Sequence, residues 1–145
     1  MNGIIVDIDG TFANNEHRRP FVEKHPKDWK SYLELVAKDT PYDWCVDLVQ
    51  AMLQQECLPI FVTGRNESHR GVTDDLIVGA GIADYELYMR ADNDFRQDAI
   101  VKREIFDKHI AGKFNVRFAI DDRQQVVDLW RSMGIVCLQC AKGDF

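Results

Sequence analysis

Five short apolar runs recur along the chain, and segments with helical periodicity separate them. The runs are Gly3–Val6, Leu58–Val62, Glu86–Met89, Val116–Ile120 and Ile135–Gln139. Strands that alternate with helices in this way pair in parallel, because each helix carries the chain back across a face of the sheet. The pattern predicts an α/β fold in which a doubly wound parallel sheet is covered by helices on both faces.

Three of the intervening segments place apolar residues on one helical face, which predicts core-facing helices. They are Trp44–Gln55, Ala99–Ile110 and Arg123–Met133. Gly134 follows the last of them, at the place where a residue in the left-handed conformation commonly ends a helix. The length of 145 residues is that of one ordinary domain, and no internal repeat divides the sequence. We therefore expect a single domain.

The segment 12–42 interrupts this alternation, with a short helical pattern from about Lys27 to Lys38. In an α/β fold, material inserted after the first strand lies over the carboxyl ends of the strands, where ligands bind. We therefore predict a small helical lid, or cap, at about residues 12–42. The helical spacing favours packing of Phe21, Trp29 and Tyr32 against the body of the domain over stacking on a nucleobase.

A formal net charge of −6 argues against a broad nucleic-acid-binding surface, which needs an excess of Lys and Arg. The charge still allows a local basic pocket. Candidates for such a pocket are Arg18, Arg19, Arg65, Arg70, Arg90, Arg96, Lys102, Arg103 and Arg123.

No apolar stretch reaches membrane-spanning length, and the sequence starts directly in a strand pattern without a charged leader. These features predict a cytoplasmic protein.

The four cysteines show no spacing typical of a disulfide framework. Cys45, Cys57, Cys137 and Cys140 lie mostly in apolar segments, which favours small buried side chains. Cys137 and Cys140 form a CxxC pair, but residues three apart in a strand point to opposite faces and do not easily share a ligand. We therefore predict a structural role for all four.

Two carboxylates, Asp7 and Asp9, follow the first apolar run and lead into Gly10. Alternate residues of a strand project to the same side, so these like charges repel unless a cation or an anion-transfer reaction requires them. The alternative, for this stretch alone, is a strand that enters an Asp-Gly turn.

Polar residues also follow two other predicted strands. Thr63-Gly64-Arg65 offers a hydroxyl, a flexible amide and a guanidinium beside a helix N-terminus, and all three groups bind oxyanions. Asp121 and Asp122 form a second carboxylate pair. Since the carboxyl ends of parallel strands share one edge, up to four carboxylates converge there and require a cation or raised pKa values. An oxygen-only ligand set favours Mg²⁺ over zinc.

Asp98 and Lys102 lie between these two groups, four residues apart on one face of a predicted helix. An ion pair on the protein surface is the alternative explanation for their spacing. The order and positions of all these signals nevertheless agree with one another.

That order resembles the four motifs of the haloacid dehalogenase (HAD) superfamily of phosphatases. The matching motifs are DIDGT at 7–11, VTGR at 62–65, Lys102 and IDDR at 120–123. Residues 101–106, 108–110, 119–123 and 125–127 and the closing Gly143-Asp144-Phe145 resemble, more closely, the 3′-phosphatase domain of the bacteriophage-type polynucleotide kinase/phosphatase. The resemblance spans nearly the whole chain and implies a Rossmann-like HAD fold with a small cap.

By this resemblance, Asp7 is the nucleophile, which attacks the phosphoryl group and forms an aspartyl-phosphate. Asp9 protonates the departing sugar oxygen and then deprotonates the attacking water, a role that calls for a somewhat raised pKa. Thr63, Gly64 and Lys102 hold the phosphoryl oxygens as negative charge develops on them.

The same resemblance implies a Mg²⁺ site and a set of substrate contacts. Asp7, the carbonyl of Asp9 and Asp122 bind the ion, with Asp121 at or next to it. Arg18, Gly64, Arg65 and Asp98 belong to the substrate side, where Asp98 orients a basic neighbour.

The implied function is a Mg²⁺-dependent phosphomonoesterase that removes 3′-phosphates from DNA or RNA ends. No GxxxxGK[ST] phosphate loop occurs in the sequence, so we expect no phosphate transfer from ATP, and a separate kinase or ligase is a candidate partner. Two alternatives remain: a nucleotidase or general small-molecule phosphatase, and a binding module that has lost turnover.

Overall fold

The computed structural model describes residues 1–143, in which seven strands and six α-helices are found. The strands are β1 (Asn2–Val6), β2 (Ala13–Asn14), β3 (Thr40–Pro41), β4 (Cys57–Asn66), β5 (Glu86–Arg90), β6 (Asn115–Asp121) and β7 (Cys137–Gln139). The helices are α1 (Pro20–Glu23), α2 (Trp29–Glu34), α3 (Asp43–Gln54), α4 (Arg70–Gly79), α5 (Asp98–Ile105) and α6 (Gln124–Ser132). Asp144 and Phe145 are the last two residues of the segments that carry the family resemblance, and they lie outside the described residues.

Five strands form one parallel sheet in the order β5-β4-β1-β6-β7. β1 lies at its centre, and Ile4, Ile5 and Val6 are completely or almost completely buried. Ile4 and Val6 pack on one face with side chains of α3 and α4, whereas Ile5 packs on the other face with side chains of α5 and α6. Alternate residues of the central strand thus fill two cores, and the predicted doubly wound α/β fold is confirmed.

The predicted helices are found, with differences at their ends. The pattern over 99–110 corresponds to α5 followed by a π-helical turn, Phe106–Ile110. Gly134 has a φ of +78° directly after α6 and its cap residue, as the sequence predicts. Helix α4 was not singled out in the sequence, although its buried Thr73 and Ile77 are four residues apart and share one face.

In the inserted segment, residues 12–42, the helix predicted at about 27–38 is shorter and interrupted, and a further short helix, α1, precedes it. Only α2 and the 3₁₀ turn Val36–Lys38 follow the helical pattern of 27–38, and the antiparallel pair β2–β3 joins the two ends of the segment. Tyr32 is buried, as predicted from its spacing, but Trp29 is 41% exposed. The packing predicted for Trp29 is therefore not found.

Three of the cysteines, Cys45, Cys57 and Cys137, are buried as expected. Cys140 is exposed because it lies one residue beyond β7, and its Sγ is 3.6 Å from Thr11 Oγ1. The prediction of burial is wrong for this residue.

Among residues 1–143, no helix combines the length and the apolar character that crossing a membrane requires.

Candidate active site

A cavity of about 420 Å³ lies at the carboxyl ends of the parallel strands. Asp7 and Asp9 line it after β1, Gly64 lines it near the end of β4, and Asp122 lines it after β6. Sequence positions far apart in the chain thus meet at one edge of the sheet, as expected for a parallel α/β fold.

Lys102 is completely buried at the base of this site. Its Nζ donates hydrogen bonds to Asp7 Oδ1 at 2.8 Å and to Asp121 Oδ2 at 3.0 Å, and it lies 3.6 Å from Asp98 Oδ2. Burial alone would lower the pKa of Lys102, but the three carboxylates raise it well above its usual value. Lys102 is therefore a buried cation in an acidic environment, and the surface ion pair considered for Asp98 and Lys102 is excluded.

Asp7, Asp121 and Asp122 form a carboxylate cluster in which one oxygen of each lies within 4.8 Å of the others. Burial raises the pKa of all three groups. Repulsion from Asp7 raises the pKa of Asp121 further, to about 7, and repulsion from Asp7 and Asp121 raises the pKa of Asp122 to about 9. Asp122 Oδ2 is buried without a hydrogen-bond partner. An orphaned acceptor in a group of oxygen ligands fits a hard divalent cation, which would relieve the repulsion.

Gly10 is the residue that allows Asp122 to approach the turn after β1. Its φ is +80°, in the region that favours glycine, and an added Cβ would lie 2.3 Å from Asp122 Oδ2. Both the left-handed backbone of this turn and the close approach of Asp122 therefore require glycine at position 10.

Asp9 points toward two guanidinium groups. Its Oδ1 accepts hydrogen bonds from Arg65 Nε at 3.0 Å and Arg65 Nη2 at 2.8 Å, and also from Arg18 Nη2. Burial alone would raise the pKa of Asp9, but Arg65 and Arg18 outweigh it and lower this pKa to about 2. The raised pKa expected for Asp9 is therefore wrong for this state of the protein.

Both arginines are almost completely buried behind Asp9. Neither of them lines the cavity as residues 1–143 form it. The Arg18 guanidinium lies over the Tyr32 ring at 4.1 Å, and Arg65 Nη1 donates to Thr73 Oγ1 at 3.0 Å. The family resemblance assigns Arg18 and Arg65 to substrate contacts. In the structure, both side chains instead contact Asp9.

A further carboxylate, Asp39, completes this group and was missed in the sequence. Its oxygens accept from Arg18 Nε at 2.8 Å and from Arg65 Nη2 at 2.5 Å. No linear pattern marks Asp39, because these partners are 21 and 26 residues away along the chain.

The Thr63-Gly64-Arg65 segment lies inside β4, which continues to Asn66 by pairing with β5 in a shifted register. A 3₁₀ turn, Glu67–His69, begins directly after Asn66 and leads into α4, so the expected helix N-terminus lies two residues beyond Arg65. Thr63 is buried and its Oγ1 accepts from the Arg65 backbone N–H at 3.1 Å. Gly64 lines the cavity, and an added Cβ would lie 2.4 Å from Asp98 Oδ1.

The basic part of the cavity wall consists of Arg90, Arg96 and Arg123. Each guanidinium has a carboxylate close by: Arg90 lies 3.4 Å from Asp98, Arg96 lies 2.7 Å from Asp94, and Arg123 lies 3.8 Å from Asp98. The local basic pocket allowed by the sequence is thus limited and balanced by acidic neighbours.

The whole chain, residues 1–145, matches the family model described as "Polynucleotide kinase PNKP phosphatase domain". A solved structure of the Pnkp1/Rnl/Hen1 RNA repair complex contains a chain 32% identical to this one, with a TM-score of 0.86. That match covers 99% of this chain and 43% of the other. A class C acid phosphatase from Bacillus anthracis shares the fold, with 13% identity and a TM-score of 0.67. That match covers 99% of this chain and 68% of the phosphatase chain.

A protein of Autographa californica nuclear polyhedrosis virus is also similar, at 27% identity over 134 residues. Its name gives it polynucleotide kinase and RNA ligase activities. The match covers 91% of this chain and 18% of the viral protein. The chain therefore spans under a fifth of the viral relative and less than half of the chain in the repair complex.

Proposed function

Because this chain belongs to the family of polynucleotide kinase PNKP phosphatase domains, a group of HAD phosphatases, we propose that it removes 3′-phosphates from DNA or RNA ends with the help of Mg²⁺. One observation carries the proposal: Asp7 and Asp9 line the same cavity, and Lys102 holds Asp7 next to Asp121 in the carboxylate cluster. We also propose that residues 1–145 act as one domain, with the inserted segment 12–42 as its cap.

In this proposal Asp7 is the nucleophile. Lys102 donates to its Oδ1, and Thr11 donates to its Oδ2 at 3.2 Å, so the carboxylate is held on both sides. A bond forms between an Asp7 oxygen and phosphorus while the bond from phosphorus to the sugar oxygen breaks. Lys102 and the Gly64 turn contact the phosphoryl oxygens, and Thr63 shapes that turn from behind.

Asp9 gives its proton to the departing sugar oxygen and later takes one from the water that attacks the aspartyl-phosphate. That water forms the new bond to phosphorus, inorganic phosphate leaves, and the Asp7 carboxylate is restored. The low pKa of free Asp9 does not oppose this role, because the negative charge of a phosphate monoester arriving beside Asp9 raises its pKa.

Asp7, Asp121, Asp122 and the carbonyl of Asp9 would hold Mg²⁺. When bound, the ion supplies positive charge that offsets the charge of the carboxylates and of the phosphate. The buried oxygen of Asp122 without a hydrogen-bond partner supports this assignment.

We expect the metal-free protein to lose stability as the pH rises from about 4 to about 9, because Asp121 and Asp122 have raised pKa values. In the unfolded chain both groups titrate near pH 4, so the folded state binds more protons across this interval, and raising the pH favours unfolding. The thermal unfolding midpoint in EDTA should therefore be higher at about pH 5 than at about pH 8.

Mg²⁺ should raise the unfolding midpoint mainly at the higher pH, where the carboxylates are ionised. Asp122→Asn should reduce both the pH dependence and the response to Mg²⁺. A midpoint that does not respond to Mg²⁺ at either pH would contradict the metal assignment.

Two aromatic side chains at the cavity support a polymer end as the substrate. Phe95 is 90% exposed and Trp29 is 41% exposed, and both belong to the cavity lining. The loop that carries Phe95 is fixed by hydrogen bonds from Arg90 Nη1 to the backbone oxygens of Asp94 and Arg96, at 3.2 and 2.7 Å. A large apolar ring held in solvent on a fixed loop is suited to stacking on a nucleobase.

We expect Phe95→Ala to raise KM for a 3′-phosphorylated oligonucleotide about tenfold, since stacking on one base contributes about 1–3 kcal/mol. The KM for p-nitrophenyl phosphate, which has no base, should not change. Phe95→Tyr is the matched control and should keep the KM of the wild-type protein. Equal KM values for wild-type and Phe95→Ala on the oligonucleotide would contradict a stacking role.

The substrate proposal is tested by phosphate release from three compounds: a 3′-phosphorylated oligonucleotide, the same oligonucleotide phosphorylated at its 5′ end, and a nucleoside monophosphate. Selective release from the 3′ end is the expected result. Equal turnover of all three would favour a nucleotidase or general phosphatase, and no turnover would favour a binding module.

The matched relatives also bear on partners. The name of the viral relative includes kinase and ligase activities, and the solved complex is described as an RNA repair complex. We therefore propose that a separate kinase or ligase unit acts on the ends that this phosphatase produces.

A further inference from the structure

Asp39 is a buried carboxylate whose contacts the proposed reaction leaves unexplained. It follows the 3₁₀ turn Val36–Lys38 at the far end of the inserted segment, and its side chain is completely buried. Taking a carboxylate out of water is unfavourable unless opposite charges and hydrogen bonds compensate for the lost hydration. Here the compensation comes from Arg18, Arg65 and His17, whose Nε2 lies 2.7 Å from Asp39 Oδ1.

Arg18 contacts Asp39 through two parallel hydrogen bonds. Its Nε donates to Asp39 Oδ1 at 2.8 Å and its Nη2 donates to Asp39 Oδ2 at 2.6 Å. Since the guanidinium is planar and its donors have fixed directions, this two-point contact fixes the orientation of the whole group.

The same nitrogen atoms serve both Asp39 and Asp9. Nη2 of Arg18 donates to Asp39 Oδ2 and to Asp9 Oδ1. Nη2 of Arg65 also donates to both, at 2.5 Å to Asp39 Oδ2 and at 2.8 Å to Asp9 Oδ1. Each of these nitrogens carries two hydrogens, so one hydrogen is directed to each carboxylate. The bond to Asp39 therefore sets the direction of the hydrogen that reaches Asp9.

We propose that Asp39 is a positioning residue for Asp9, which it holds through Arg18 and Arg65 in the orientation that proton transfer needs. This inference rests on the proposed function, because only there does Asp9 exchange a proton with the leaving oxygen. Asp39 belongs to the inserted segment, and Arg65 belongs to β4. The segment thus contributes to the acid–base step in addition to covering the site.

The leaving group distinguishes this role from a purely structural one. The value of kcat/KM reports on the reaction up to departure of the leaving oxygen. A sugar oxygen needs a proton at that moment, whereas nitrophenolate leaves without one. We expect Asp39→Asn to lower kcat/KM for a 3′-phosphorylated oligonucleotide about 30-fold and for p-nitrophenyl phosphate less than about threefold.

Val36→Ala is the matched control, because Val36 is buried in the same segment and makes none of these hydrogen bonds. Any loss that it causes should be equal for both substrates. An equal loss on both substrates for Asp39→Asn, or no loss on the oligonucleotide, would overturn the positioning role. No turnover of the oligonucleotide by the wild-type protein would instead overturn the proposed function, and this inference with it.

A second variant keeps the test decisive if Asp39→Asn does not fold, as judged by circular dichroism. Thr73→Val removes the acceptor for Arg65 Nη1 and leaves Asp39 in place. We expect the same dependence on the leaving group, with a loss of about threefold on the oligonucleotide. If the ratio of the two kcat/KM values is unchanged in a folded Thr73→Val protein, the orientation of Arg65 does not affect proton transfer by Asp9, which overturns the proposal that Asp39 acts through Arg65.

Discussion

Asp7→Asn is expected to reduce phosphate release from a 3′-phosphorylated oligonucleotide by at least about 10⁴-fold, because the amide cannot act as the nucleophile. Asparagine preserves the shape of the side chain and keeps an oxygen that accepts from Lys102, while its amide nitrogen can donate to Thr11 Oγ1. The loss should therefore appear in kcat, measured under saturating substrate, with little change in the thermal unfolding midpoint.

Asp107→Asn is a suitable control for this variant. Asp107 is an exposed carboxylate that pairs with Arg103 on the protein surface, so its replacement should leave kcat unchanged. If Asp7→Asn retained more than about a tenth of the wild-type kcat, Asp7 could not be the nucleophile.

Lys102→Met is expected to remove activity and, in the absence of metal, to destabilise the fold by about 3–5 kcal/mol. Methionine has a similar volume but no charge, so Asp7, Asp98 and Asp121 would lose the cation that they share. Chemical denaturation in EDTA measures the change in the free energy of unfolding. Because the proposed function also assigns Lys102 to the phosphoryl oxygens, Mg²⁺ should restore part of the stability but not the activity.

Lys113→Met provides the comparison at the surface. Lys113 is more than half exposed and pairs with Glu86, and solvent screening makes an exposed pair of this kind contribute far less to stability than the buried contacts of Lys102. If the two lysine variants had equal unfolding free energies in EDTA, Lys102 would not be the central counter-ion of the acidic site.

The sequence predicts the strands because their apolar runs are short, strongly apolar and separated by helical patterns. The position of Asp7, Gly64 and Asp122 around one cavity follows from that fold, since the carboxyl ends of parallel strands share an edge. The contact of Lys102 with Asp7 joins residues 95 positions apart, and the order of the family motifs was its only signal in the sequence.

Other features depend on three-dimensional neighbours that no local pattern records. The low pKa of Asp9 arises from Arg18 and Arg65, and the sequence offered a neighbouring carboxylate as the more obvious influence. Asp39 carries no motif and becomes notable only because both arginines contact it. The exposure of Trp29 was missed for a related reason, because helical spacing shows which residues share a face but not what covers that face.

The most direct test of the account is to ask which residue takes up the phosphoryl group. The wild-type protein is mixed with a 3′-phosphorylated oligonucleotide and Mg²⁺, quenched in acid, treated with borohydride and analysed by peptide mass spectrometry. Reduction converts an aspartyl-phosphate to homoserine, so we expect homoserine at position 7, none in EDTA, and none when the phosphate is at the 5′ end. Phosphate release without modification of Asp7, or equal modification from both ends, would contradict it.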